Sequence, residues 1–246
     1  MKQRPFRRIC FGWLSGFYIA LTFGIPPLPA IAQVNQATIN EILGGTEVFI
    51  ESQQAQVNDT ANFQEVVRTE ASTRASLRFN NGAAGRLGEN SSVIVGQCVE
   101  VEQGQLLVSG PANGCVSGFD IGVQGTIYVV DADDSNPNVL GRIIGLEGGV
   151  QLNKSTTDPN ETTLPTVLNQ GQKVAVLANG ELGPVEAIPA EEFADILTGP
   201  LFQDFDEPVP NQGELREVCL ELYAPEYQCS AAGVPQVRSQ PVRGLW

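Results

Sequence analysis

The chain predicts an all-β fold: a two-sheet β-sandwich or double-stranded β-helix of the jelly-roll kind, with a short helix and an irregular C-terminal appendage. A β-solenoid is the alternative. Three observations carry this reading. From Thr46 to about Val185, short apolar runs are divided by turns at Asn81-Gly82, Gln103-Gly104, Asn113-Gly114, Gly148-Gly149, Gln170-Gly171 and Asn179-Gly180. In one run Ala75, Leu77 and Phe79 alternate with Arg74, Ser76 and Arg78, the period-2 pattern of a half-buried strand. Gly82 to Gly104 and Gly149 to Gly171 are both 22 residues apart, with Gly125-Thr126 near the middle of the gap between them, which suits coils of a winding sheet.

Taken in order, residues 1–32 form an export signal. Lys2, Arg4, Arg7 and Arg8 precede an apolar stretch from Ile9 to Ile25, and Ala30-Ile31-Ala32 predicts cleavage after Ala32. An uncleaved anchor is the alternative, at the short limit for a span. Cys10 lacks a lipobox setting. Removing this segment leaves ten basic against 28 acidic residues, a formal charge of −18, so nucleic acid and anionic membrane surfaces are poor partners. The expected location is periplasmic or extracellular, without stable membrane insertion after cleavage. Residues 33–44 are a lead segment, either a helical turn or a first edge strand.

The β-domain spans residues 45–185, and the hairpin from Val67 to Ser92 fixes its own register. A two-residue Asn81-Gly82 turn would put Arg86 on the same face as Leu77 and Phe79. A three-residue loop ending in Gly82 aligns Phe79 with Ala83, Leu77 with Gly85 and Ala75 with Leu87, which keeps charge out of the core. Gly82 then takes the left-handed conformation. Arg74, Arg78 and Arg86 share the outer face as a row of forked donors, a candidate surface for an anion or acidic partner. The competing expectation is that they bridge to Glu70, Glu100 or Glu102.

The hairpin, with Arg68-Thr69 leading in, Thr73-Arg74-Ala75 in its first arm and Arg86-Leu87-Gly88 in its second, resembles the extracytoplasmic FecR domain. The run Gly122 to Tyr128 is similar to that family's Gly-Thr-aromatic strand, Leu146-Glu147-Gly148-Gly149-Val150 to its Glu-Gly-x-Val strand, and Leu168 to Val174 to its closing Gly-Gln segment. The resemblance covers about residues 45 to 183 and implies an extracytoplasmic β-domain in a signalling context. Its best-known members place a cytoplasmic anti-sigma segment before a membrane span. Only Met1 to Arg8 precede the apolar stretch here, so that regulatory function is not expected to carry over.

Four cysteines follow the signal: Cys98, Cys115, Cys219 and Cys229. An even count in an exported chain predicts two disulfides. Sequence allows three pairings; Cys98 with Cys115 would bracket turns at Gly104 and Asn113-Gly114, and Cys219 with Cys229 would bracket Pro225. Residues 186–246 form the appendage. Pro189 to Leu197 reads as a short helix with Glu191 and Glu192 in its first turn and Phe193, Ile196 and Leu197 on one face. The proline- and acid-rich stretch after Gly199-Pro200 reads as extended chain, its Leu201, Phe202 and Phe205 plugging an end of the β-domain. The tail from Gly233 to Trp246 is expected to be flexible.

No catalytic set or cofactor site is predicted. The chain has no histidine, which excludes the usual nucleophilic triads, and it has no phosphate-binding glycine loop. The best metal candidate is a calcium loop with Asp131, Asp133, Asp134 and Asn136, although Asn136 stands where an EF-hand needs glycine and Arg142 where it needs glutamate. The expected function is a non-enzymatic binding, sensor or scaffold module for an envelope protein or cell-surface glycan. Alternatives are a calcium-dependent carbohydrate-binding or carbohydrate-active module, and a membrane-tethered signalling regulator if the leader stays attached.

Overall fold

In the computed structural model, which describes residues 33–132, 136–155 and 164–238, the chain passes repeatedly between two sheets. Strand β1 (Gln36–Leu43) lies in the first sheet, β2 (Val48–Ile50) and β3 (Gln53–Gln54) in the second, and β4 (Thr60–Asn62) returns to the first. Then β5 (Val66–Thr69) joins the second, the hairpin β6 (Arg74–Phe79) and β7 (Ala84–Leu87) the first, and β8 (Ser92–Ile94) the second. After β9 (Val99–Gly110), β10 (Gly114–Val116) and β11 (Phe119–Val123) lie in the second sheet and β12 (Thr126–Ala132) and β13 (Val139–Glu147) in the first. Strands β14 (Val150–Lys154) and β15 (Thr166–Leu168) complete the second sheet, and β16 (Gln172–Leu177) and β17 (Glu186–Ala187) the first. The orders are β4-β1-β6-β7-β9-β12-β13-β16-β17 and β3-β2-β5-β8-β9-β10-β11-β14-β15, so the all-β, sandwich-like architecture is as predicted.

Alternation fills the space between the sheets. Leu77, Phe79, Leu106, Val108, Tyr128 and Ile143 point inward from the first sheet to meet Val67, Val93, Ile121, Val150 and Leu152 from the second, all essentially without solvent access. Each such aliphatic or aromatic group contributes roughly 1.5–3 kcal/mol by leaving water. Tyr128 keeps its hydroxyl satisfied by donating to the Ala112 carbonyl at 2.9 Å, and burial pushes its ionisation far above the ordinary range. The hairpin register is the predicted one: Ala75 faces Leu87, Leu77 faces Gly85, and Phe79 N donates to Ala83 O at 2.9 Å, with Gly82 at φ +86°.

One expected turn is absent. No hairpin forms at Gln103-Gly104; β9 runs through it and changes sheets there, its first residues pairing with β8 and its later ones with β7 and β12. Gly104 adopts φ +71°, and a Cβ on it would lie 2.2 Å from Ser91 Oγ and 2.7 Å from Ser91 Cα. The glycine marks a corner where two layers cross at backbone contact. Beyond it the chain turns and β10 comes back parallel to the start of β9, Gly114 beside Val99 and Cys115 beside Glu100, one closed coil. The Cys98–Cys115 disulfide joins the two rungs of that coil. The lead segment is a strand, and no edge: β1 lies between β4 and β6.

The C-terminal region corrects a second expectation. It neither plugs an end nor hangs as an appendage; it forms a layer over the outer face of the first sheet. Leu107, Ile127, Val129, Ile144 and Leu146 point outward and pack under Ile188, Phe193 and Leu197 of α1 (Ala190–Leu197) and its lead-in, under Leu201 and Val209, and under Leu215, Val218 and Cys219 of α2 (Leu215–Tyr223). The Cys219–Cys229 disulfide ties α2 to β18 (Tyr227–Cys229), which pairs with β19 (Pro235–Val237). Tyr223 donates to the Ile188 carbonyl at 2.8 Å, and burial, with Glu192 and Glu191 nearby, pushes its ionisation up to about 12.

Two outcomes follow for stability. Gly104→Ala meets both the left-handed penalty and a backbone clash and should cost about 3 kcal/mol, whereas Gly82→Ala, with open space around it, should cost about 1 kcal/mol; urea titration of both variants checks the ranking. Glu147, at the seam with the C-terminal layer, has its carboxyl raised above the usual range by burial first and by Glu214 second. A raised folded-state value means the native state favours the protonated form, so ionisation costs stability as pH rises through it. Glu147→Gln should therefore raise the Tm at pH 7, and the gain should vanish below about pH 4, where both states hold the proton.

Candidate functional site

The predicted arginine row exists as a geometric feature, but it is spoken for. Arg86 on β7 faces Ser76 across the hairpin, between Arg74 and Arg78 on β6. Residues 199–210, the strap between the two helices, lie over all three. Arg86 is 1% exposed. Its guanidinium donates to the carbonyls of Leu201 at 2.9 Å, Phe202 at 3.4 Å and Glu207 at 2.6 Å, and lies 4.3 Å from the Phe205 ring centroid and 6.0 Å from that of Phe202. Desolvation lowers its ionisation to about 10, opposed by the attraction of Glu41 and assisted by Arg74. Glu41 in turn accepts the Asp206 N–H at 3.2 Å.

Arg74 donates to the carbonyls of Pro200 and Gln203 and pairs with Asp204 at 3.3 Å, its guanidinium 5.5 Å from the same Phe205 ring. Only Arg78 stays largely open, bridging to Glu207 at 3.3 Å. None of the three reaches Glu70, Glu100 or Glu102. The expectation of an exposed partner surface thus fails for Arg86 and Arg74, because main-chain carbonyls and aromatic rings of the strap occupy the forked donors.

The calcium candidate falls partly outside the described residues, which exclude Asp133 and Asp134. Asp131 sits on β12, where Oδ2 accepts from Gln105 Nε2 at 3.3 Å and faces Arg142 at 3.8 Å. Asn136 caps its own turn, accepting the Asn138 N–H at 3.0 Å. Both side chains have structural uses.

The two faces of the sandwich differ in cover, and the outer face of the second sheet carries an open cleft of about 430 Å³. Register lines up Gly122 of β11, Gln151 of β14 and Val167 of β15 in one row across it. Val123 faces Val150 at one end of that ladder, and Asn113, Gln124, Gly149 and the buried Thr126 complete the lining. Gln124 and Gln151 are exposed, and neither side-chain amide bonds to another described residue. Asn113 has its Oδ1 committed to the Val123 N–H at 3.2 Å. Val167, 55% exposed, supplies an apolar wall. None of the described lining residues ionises.

No family model matches the chain, and no curated protein matches it. Among solved structures, two crystal structures from Parabacteroides distasonis ATCC 8503, each named a "putative anti-sigma factor", are similar to it. One superposes with a TM-score of 0.44 at 15% identity over 55% of this chain, which spans 65% of that chain; the other gives 0.34 at 12% identity over 84% of this chain and 100% of that one. Neither score establishes a shared fold or an activity.

The strap's role was signalled by composition. Leu106-Leu107-Val108 and Ile127-Tyr128-Val129-Val130 are apolar at consecutive positions, the mark of strands buried on both faces, so something had to cover the first sheet. Helix α2 was signalled too, by Leu215, Val218, Cys219 and Leu222 at helical spacing. The cleft left no such mark, since glutamine and glycine on a surface strand look like any solvated face. With the strap in place, Arg86→Ala should leave three carbonyls unpaired and cost about 3 kcal/mol, a Tm drop of roughly 6–12 °C. Arg78→Ala should cost under about 1 kcal/mol. Thermal melts of the two variants separate a clamp from a docking surface.

Proposed function

We propose that this protein is an exported, non-enzymatic binding module of the cell envelope, FecR-like in the order of its motifs, which recognises an envelope component through the outer face of its second sheet. One observation carries the choice of face. The apolar part of the outer side of the first sheet, with Arg74 and Arg86, is covered by the chain's own C-terminal layer, whereas the second sheet presents an open cleft at Gly122, Gln151 and Val167 that is uncharged among the described residues. The basic-then-apolar leader and the two disulfides support an oxidising, extracytoplasmic setting. Among the described residues no helix is long and apolar enough to cross a membrane.

The cleft offers hydrogen bonding and apolar contact without a proton donor or acceptor that titrates near neutrality, which fits recognition better than acid–base chemistry. Gly149 is the lever for testing it, because a side chain there projects into open space. The protein purified after expression of the full chain should retain a component of envelope extract, and Gly149→Leu should lose it at an unchanged Tm. Equal retention by both, or retention by neither, overturns this reading.

A further inference from the structure

We infer that the cleft takes a neutral, polyhydroxylated glycan, a step that rests on the binding reading above and names its ligand class. The first argument is electrostatic. In a chain with 28 acidic residues, the cleft lining contains no ionisable group among the described residues. An anionic glycan would find no cation in it, and a cationic ligand no carboxylate. An uncharged ligand enters without the cost of desolvating a charge, and the lost hydration of its hydroxyls is offset where they hydrogen-bond.

The second argument is the hydrogen-bonding complement. A side-chain amide carries an acceptor and two donors on one rigid plane, and a sugar hydroxyl is both donor and acceptor, so adjacent hydroxyls match an amide edge. Gln151, in the middle of the row, and Gln124, after the end of β11, present two such edges to the depression, each free of any described partner. Val167, exposed on the same face, gives the C–H face of a ring an apolar surface.

The third argument concerns the glycines. Gly148 and Gly125 have φ of +75° and +74° and are required by their backbone. Gly122 and Gly149 are different. Neither has a positive φ; a Cβ on Gly122 would meet only Gln151 O at 3.6 Å, and one on Gly149 would meet nothing within 4 Å. Backbone geometry and packing accept a side chain at both positions, and glycine in or beside a strand costs roughly 0.5–1 kcal/mol relative to alanine. What the two glycines achieve is an open floor.

Geometry also separates a glycan from an extended peptide. A peptide adding to the free edge of β15 would run along that strand and gain main-chain hydrogen bonds there. The cleft runs across β11, β14 and β15 instead, over the face of the sheet, a span of about 10 Å from two interstrand spacings. A ligand lying across strands meets side chains and glycine floor, as a short oligosaccharide does.

The test is titration of the intact protein with neutral oligosaccharides built from glucose, galactose, mannose, xylose and N-acetylhexosamines, with uronic-acid and sulfated glycans and uncharged extended peptides as the other arms, followed by ligand-observed NMR. Neutral oligosaccharides should bind; Gly149→Leu should abolish binding, and Gln151→Ala and, separately, Gln124→Ala should each weaken it about tenfold, the worth of one good hydrogen bond. Gln124 is exposed in a loop, so its variant reads the cleft without risk to folding. Preference for the anionic arm or for the peptides overturns the glycan assignment, as does neutral binding that Gly149→Leu leaves intact. If no saccharide binds while envelope capture still depends on Gly149, the assignment falls and the binding module stands; if capture fails as well, both fall.

Discussion

The first sheet is apolar on both sides, and most of the architecture answers to that. Strands β9, β12 and β13 send Leu106, Tyr128, Val130 and Ile143 into the sandwich and Leu107, Ile127, Val129, Ile144 and Leu146 out of it. A sheet with two hydrophobic faces has to be covered twice. The second sheet covers one face; two short helices and the strap between them cover the other. Neither helix, at eight and nine residues, would hold its shape alone in water, so their folding is coupled to docking on the sheet.

Arg86 fixes the margin of that docking. A buried guanidinium is costly to desolvate, and here it is paid for by main-chain carbonyls and the Phe205 and Phe202 rings, with the Glu41 carboxylate nearby on β1. The forked donors of arginine suit this arrangement, since they can hold carbonyls of Leu201 and Glu207 at once and so set the path of the strap between them. The clamp is polar at its centre and apolar around it, which gives the strap a single register on the sheet, where leucine packing alone would tolerate sliding.

A consequence for function is asymmetry. One broad face of the sandwich is closed by the chain's own layer, and its surface is strongly acidic; residues 181–226 hold twelve acidic side chains against the single base Arg216. The other broad face keeps a depression whose described lining is uncharged. In a molecule of this charge, repulsion among the acidic groups discourages non-specific association, and the neutral region is where short-range hydrogen bonding outweighs it.

The all-β class, the hairpin register with Arg86 turned out of the first core, the short helix after Pro189 and an even set of cysteines were all legible in sequence, because each depends on local spacing: period two for a strand, one loop length for a register, one proline and two glutamates for a helix start. Other features depended on partners distant in the chain. Whether Gly104 makes a turn or a corner depends on Ser91 approaching its Cα, and whether Arg74 and Arg86 face solvent or the strap depends on a segment more than a hundred residues away. The cleft is the extreme case, since Gly122, Gln151 and Val167 become neighbours only through the pairing of three strands. Sequence by itself determined which residues alternate and therefore which elements form; tertiary structure alone decided which outer face is covered and which is left open, because that choice is made by burial between distant segments, which no local period encodes.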